Sequence, residues 1–150
     1  TMQSALDETD RRLLSLLRAN ARESTATLAR RLGLARTTVV ARIARLERDG
    51  VVAGYGVRLG ARMDQATVRA WCSLSVLPQS APQVLRALAA MPEVEEVSAV
   101  SGPFDYLAFV RCPSHERLDA LLDQIGQTDG VHRTQTSIVL SRKIDRRGIG

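Results

Sequence analysis

Apolar residues recur every three to four positions through the first third of the chain, then every second position in several later stretches. In "DETDRRLLSLLRAN", Leu13, Leu14, Leu16 and Leu17 mark one side of a first helix, and Asp7 and Asp10 stand at capping-box spacing. "STATLARRLGL" offers Ser24 or Thr25 as N-cap, with Leu28, Ala29 and Leu32 as an apolar stripe. Gly33 can then leave this second helix in the left-handed conformation. The pattern predicts a third helix starting after Leu34, with Ala35 at its cap, and ending near Asp49 before Gly50. Projection at about 100° per residue puts Val39, Val40, Ile43 and Leu46 on one side. Thr37, Thr38, Ala41, Arg42, Arg45 and Arg48 gather on the other.

A helix, a tight turn and a basic, hydroxyl-bearing helix make the layout of a helix-turn-helix, whose second helix enters the DNA major groove. Small helical cores repeat the same spacing, so the pattern is also compatible with a plain three-helix bundle whose basic face is only solvated. After Gly50, "VVAGYGVRL" reads as a short extended segment and "GARMDQA" as a linker.

The period then changes. "VRAWCSLSVL" alternates as a half-buried strand. "SAPQVLRALAAM" follows as a helix with Ser80 as cap, Pro82 in its first turn, and Val84, Leu85, Leu88 and Met91 inward. "VEEVSAVSG" and "DYLAFVRC" predict two strands joined through Gly102 and Pro103. Ser114 caps a further helix with Leu118, Leu121, Leu122 and Ile125 inward, and "VHRTQTSIVLS" closes as a strand. The order βαββαβ predicts a ferredoxin-like arrangement, so the fold class is α+β: an N-terminal helix-turn-helix domain of winged type and a C-terminal ferredoxin-like domain. Expected boundaries are 1–52, a hinge and linker at 53–66, the second domain at 67–141 and a basic tail at 142–150. Helices on one side of the sheet leave its other side open, which argues for self-association.

Charge supports this division. Residues 1–62 carry twelve Arg against six acidic residues, whereas residues 63–150 carry nine basic against ten acidic. The whole excess of the net +5 therefore lies in the helical part, as a nucleic-acid partner would require. Twenty of the twenty-one basic residues are Arg, a bias that composition alone could produce, although composition does not decide their position. The chain is 45% hydrophobic and 25% charged, with no run approaching the ~18 apolar residues of a membrane span. "TMQSALDETD" lacks the basic and apolar regions of a leader, so a cytoplasmic protein is expected. Cys72 and Cys112 sit in separate apolar stretches and read as buried thiols. With His115 and His132 they show no metal-ligand spacing, and no cofactor is expected.

"LDETDRRLLSLLRANAR", "LARRLGLARTTVVARIARLERDGVVAGY" and "VSGPFDYLAFV" together resemble the Lrp/AsnC (feast/famine) family of transcriptional regulators over about Leu6 to Leu140. The resemblance implies a helix-turn-helix domain joined by a hinge to a sensing domain. It further implies a homodimer that assembles to an octamer or other higher oligomer, operator DNA as partner, and an amino acid or similar effector held between dimers. Carried onto this chain, Thr37, Thr38, Arg42 and Arg45 would face the groove, with Arg36 and Arg48 on phosphates. Arg can grip guanine O6 and N7 bidentately. Arg30 and Arg31 are either backbone contacts or solvated surface.

The "SGPFDY" turn maps Ser101, Gly102, Asp105 and Tyr106 onto the effector site, with Thr134, Gln135 and Thr136 as neighbours; Asp105 would receive an ammonium group. A structural hairpin turn with Asp bonding backbone is the other reading of the same residues. Two departures stand out. Ala35-Arg36 replaces the Ser-Pro of many relatives, at a cost of about 1 kcal/mol of capping that a DNA phosphate at the helix N-terminus would offset. Pro103 removes a backbone donor from the turn. No nucleophile-base set or phosphate-binding glycine loop points to an enzyme. An effector-independent regulator and a nucleoid-organising DNA-binding protein remain the alternatives.

Overall fold

Asp7, in extended backbone, accepts the Asp10 amide on Oδ1 at 2.7 Å and so opens helix α1 (Glu8–Ala19) in this computed structural model, which describes residues 6–147. The first five of the ten N-terminal residues read for a leader, and the last three of the basic tail, lie outside the described residues. Ser24, not Thr25, caps α2 (Thr25–Leu32), its Oγ accepting the Thr27 amide at 3.1 Å. Gly33 leaves that helix at φ 68°, which lets the Leu34 amide turn back onto Ala29 O at 2.9 Å. α3 (Arg36–Arg48) starts from Ala35 with no side-chain cap.

Leu13, Leu17, Leu28, Ala29, Leu32, Val39 and Leu46 form the core of this unit, with Leu34 and Ile43 packed against it. Val40, expected on the inward side, is instead 55% exposed. The buried stripe runs through Val39, Ile43 and Leu46, and Val40 lies about 100° round the helix from Val39. Among the described residues no wing hairpin follows α3, and residues 53–60 pair with no strand.

The described residues divide into two compact units, one running to Arg58 and including the segment from Ile144, the other Leu59–Lys143. The second unit begins with a short helix α4 (Ala61–Gln65) where a linker is expected from the sequence. Ala61, Arg62, Met63 and Gln65 are good helix formers. Its Asp64 points inward and is 8% exposed, because three arginines meet its carboxylate.

Strands β1 (Val68–Val76), β2 (Val94–Ala99), β3 (Tyr106–Cys112) and β4 (Val131–Ile138) form one antiparallel sheet in the order β2-β3-β1-β4. Helices α5 (Ala81–Ala89) and α6 (His115–Gly126) complete the βαββαβ order. Ala70, Cys72, Leu74 and Val76 of β1 and Ala108, Val110 and Cys112 of β3 pack with Val84, Leu88, Leu118, Leu121 and Ile125 in one core. Both thiols are free and buried there, and burial raises both above the ordinary cysteine range.

Ser114 caps α6 through the Arg117 amide at 3.1 Å, whereas Ser80 makes no such bond to α5. A 3-10 turn, Pro78–Ser80, runs directly into α5 and leaves Ser80 in helical backbone. Its side chain packs against Gly130, where a Cβ would stand 2.3 Å from Ser80 Cβ. Alternation puts Arg69, Trp71, Leu107, Phe109 and Arg111 on the sheet side away from this core. Trp71 is 39% exposed and its ring lies 4.8 Å from that of Phe109.

Candidate functional site

α3 turns Thr37, Thr38, Val40, Ala41, Ala44 and Arg48 away from the helical core, and all six are exposed. Arg36 is exposed in the first turn, beside the uncapped N-terminus that Ala35 leaves. Arg30 and Arg31 are exposed on the last turn of α2, and Arg12 of α1 donates to Arg31 O at 3.1 Å. Basic residues thus surround one end of the helix-turn-helix.

Arg42 and Arg45 behave differently from the expectation that both face a groove. Arg42 Nη1 donates to Asp7 Oδ2 at 2.8 Å and to Asp10 Oδ1 at 2.9 Å, and Arg45 Nη2 donates to Asp10 Oδ2 at 2.6 Å. Asp10 is 2% exposed, so both of its oxygens are committed to α3. The Asp10 amide and then the Arg42 guanidinium hold the Asp7 carboxyl below the usual range; Asp7 and Asp10 in turn raise Arg42. The physical reason is spacing: two carboxylates three apart, at the N-cap and in the first turn of α1, meet two guanidiniums three apart on α3. That matched spacing is visible in the sequence, but Asp7 and Asp10 also satisfy a capping pattern, which conceals it.

In the second unit, Gly102 turns the β2–β3 connection at φ 104°, and Ser101, Gly102 and Pro103 are exposed. Asp105 fixes the turn to β1: its amide donates to Leu74 O at 2.8 Å, and its Oδ2 accepts the Val76 amide at 2.8 Å. Tyr106 is half-buried against the sheet core. The strand register separates the remaining candidates. Thr134 and Thr136 pair with Leu74 and Cys72, and Gln135 with Ser73, so Gln135 projects to the opposite side of the sheet.

Phe104 lies within the turn, and Arg133 of β4, which does not stand out in the sequence, packs against it. The Arg133 guanidinium lies 4.6 Å from the Phe104 ring centroid and reaches Pro103 O at 3.5 Å. The turn therefore brings together Ser101, Gly102, Asp105 and Tyr106, with Phe104 and Arg133 added. Among the described residues no group of His, Cys, Asp and Glu could hold a metal ion, and no helix is long and apolar enough to cross a membrane.

A profile of the AsnC-type helix-turn-helix domain matches residues 6–47, and one of the Lrp/AsnC ligand binding domain matches residues 69–149. The chain is 36% identical to the HTH-type transcriptional regulator LrpA of Mycobacterium tuberculosis, over 93% of each chain. It is 33% identical to the leucine-responsive regulatory protein of Escherichia coli, over 90% of this chain and 85% of that protein. Among solved structures it is similar to the feast or famine regulatory protein of M. tuberculosis complexed with L-methionine. There the TM-score is 0.85 at 35% identity, covering 97% of this chain and 100% of the other. A transcriptional regulator of Neisseria meningitidis in complex with L-Met gives 0.86 at 25% identity, covering 93% of each.

Proposed function

Because the chain belongs to the Lrp/AsnC family of helix-turn-helix transcriptional regulators, we propose that it binds operator DNA through α3 and that an amino acid modulates this binding. The observation that carries the reading is the exposed side of α3, in a unit that holds all the excess positive charge of the chain. Thr37 and Thr38 face the groove, while Arg36, Arg48, Arg30 and Arg31 contact phosphates. The uncapped amides at the start of α3 suit a phosphate oxygen. Arg42 and Arg45 serve this interface indirectly, by fixing α3 against α1.

The effector is an amino acid seated at the Ser101–Tyr106 turn, as the L-methionine complexes of two structural relatives support. With Asp105 Oδ2 committed to the Val76 amide, its Oδ1 is the atom to receive an ammonium group. Thr134 and Thr136 lie on one side of β4 and Gln135 on the other, so a second copy of the chain completes the site on the Gln135 side. The open sheet side with Trp71 and Leu107 supports a homodimer, assembling further to an octamer or other higher oligomer. A DNA-binding regulator of this kind acts in the cytoplasm.

Selection of bound genomic fragments with and without a panel of amino acids, alongside thermal unfolding in the same panel, tests the reading. A ligand bound only to the native state must raise the melting temperature. Enrichment of discrete fragments and a rise with at least one amino acid are expected. Uniform recovery of the genome would instead indicate an organiser of DNA, and discrete fragments without any thermal shift an effector-independent regulator.

A further inference from the structure

Between exposed Arg36 and Arg48 at its two ends, which are assigned above to phosphates, the face that α3 offers to a groove is small and methyl-bearing. Thr37, Val40, Ala41 and Ala44 follow one another at i, i+3, i+4 and i+7 and therefore share one side of the helix. Val40 is 55% exposed, although the adjacent Val39 is fully buried, and Thr37, Ala41 and Ala44 are exposed. The two guanidiniums best placed by sequence to grip guanine are withdrawn, Arg42 onto Asp7 and Asp10 and Arg45 onto Asp10. Glu47, which could accept from cytosine N4, accepts instead from the Tyr55 hydroxyl at 3.0 Å.

None of the four facing residues can make the bidentate bonds that read guanine or adenine edges. Such a face can, however, discriminate one feature of the major groove: the C5-methyl group of thymine, which Ala, the Thr methyl and other apolar side chains contact. We propose that α3 selects its operator by packing Thr37, Val40 and Ala41 against thymine methyl groups, so that specificity rests on T·A pairs. This inference rests on α3 entering the major groove, as proposed above.

The test uses the full-length protein and an operator recovered by the genomic selection. Each dT is replaced in turn by deoxyuridine, which removes the methyl group and keeps every hydrogen-bonding edge. Affinity is expected to fall about fourfold at each contacted thymine, the worth of burying one methyl-sized group. Val40→Ala is expected to abolish the effect at one of these positions while leaving thermal stability unchanged, because Val40 lies outside the core. Retained preference for the operator over scrambled DNA with no response to deoxyuridine at any position would overturn the thymine reading. A deoxyuridine response that persists unchanged in both Val40→Ala and Thr37→Ser would overturn the residue assignment. Equal affinity for the unmodified operator and scrambled DNA would instead show that the groove reading itself fails, and the inference with it.

Discussion

Arg45 donates from Nη2 to Asp10 Oδ2 at 2.6 Å, so a buried carboxylate in the first turn of α1 grips the last turn of α3. Arg42, nearly one turn earlier, takes the other oxygen at 2.9 Å. Asp10→Asn keeps the volume and loses the charge. Hydrogen bonds to charged groups are each worth roughly 1.5–3 kcal/mol, and Asn retains part of both, so a loss of about 1–3 kcal/mol is expected in chemical denaturation. Unchanged stability would show that the ion pairs do not hold the two helices.

The division of roles among the arginines predicts opposite signatures. Arg48→Ala should weaken operator and scrambled DNA equally and reduce the slope of log affinity against log salt by about 1, as loss of a phosphate contact does. Arg42→Ala should lower the melting temperature and leave the ratio of the two affinities intact once the protein is folded. Binding assays over a salt series distinguish these outcomes, and a collapse of that ratio in folded Arg42→Ala would return Arg42 to the bases.

Asp64 carries the clearest pH dependence. Burial alone would raise its carboxyl, but Arg111, Arg142 and Arg69 outweigh that and hold it below the ordinary value of 3.8. A carboxyl depressed in the folded state contributes stability that is present above the unfolded value and is lost as pH falls through the folded one. Thermal unfolding should therefore lose stability steadily below about pH 4. Asp64→Asn should cost about 3–5 kcal/mol at neutral pH, since it leaves arginines without their carboxylate, and should flatten the acid limb. An acid limb equally steep in the variant would place the titrating group elsewhere.

Gly130 occupies φ 96° with Ser80 against it. Gly130→Ala combines a left-handed backbone cost of roughly 1–2 kcal/mol with a steric clash against Ser80 Cβ. A destabilisation above about 2 kcal/mol is expected, and Ser80→Gly in the same chain should recover part of it. Additive losses from the two substitutions would mean that the close approach is not the cause.

Most of the fold was legible because period and capping agree. Asp7, Ser24, Gly33 and Ser114 each act where local chemistry places them, and the βαββαβ order follows from alternating strands and amphipathic helices. Sequence failed where a tertiary partner overrides the local pattern. Arg42 and Arg45 read as outward on a helical wheel, yet Asp7 and Asp10, more than thirty residues away, draw them sideways. Val40 is apolar yet exposed, because the wheel resolves a stripe only to about one residue. Asp64 read as a polar linker residue, since nothing local indicates Arg69, Arg111 and Arg142 converging on it. The SGPFDY turn stands out as a motif with Phe104 inside it, but Arg133 of β4 reaches it only through the sheet register.

The central claim, that α3 reads an operator, is tested most directly by dissociation constants for DNA upstream of the protein's own gene and for scrambled DNA of equal length at matched salt. The proposed operator contact through the exposed side of α3 predicts a preference of at least about 10³-fold, the lower range for specific regulators. A ratio near one at every salt concentration would contradict it.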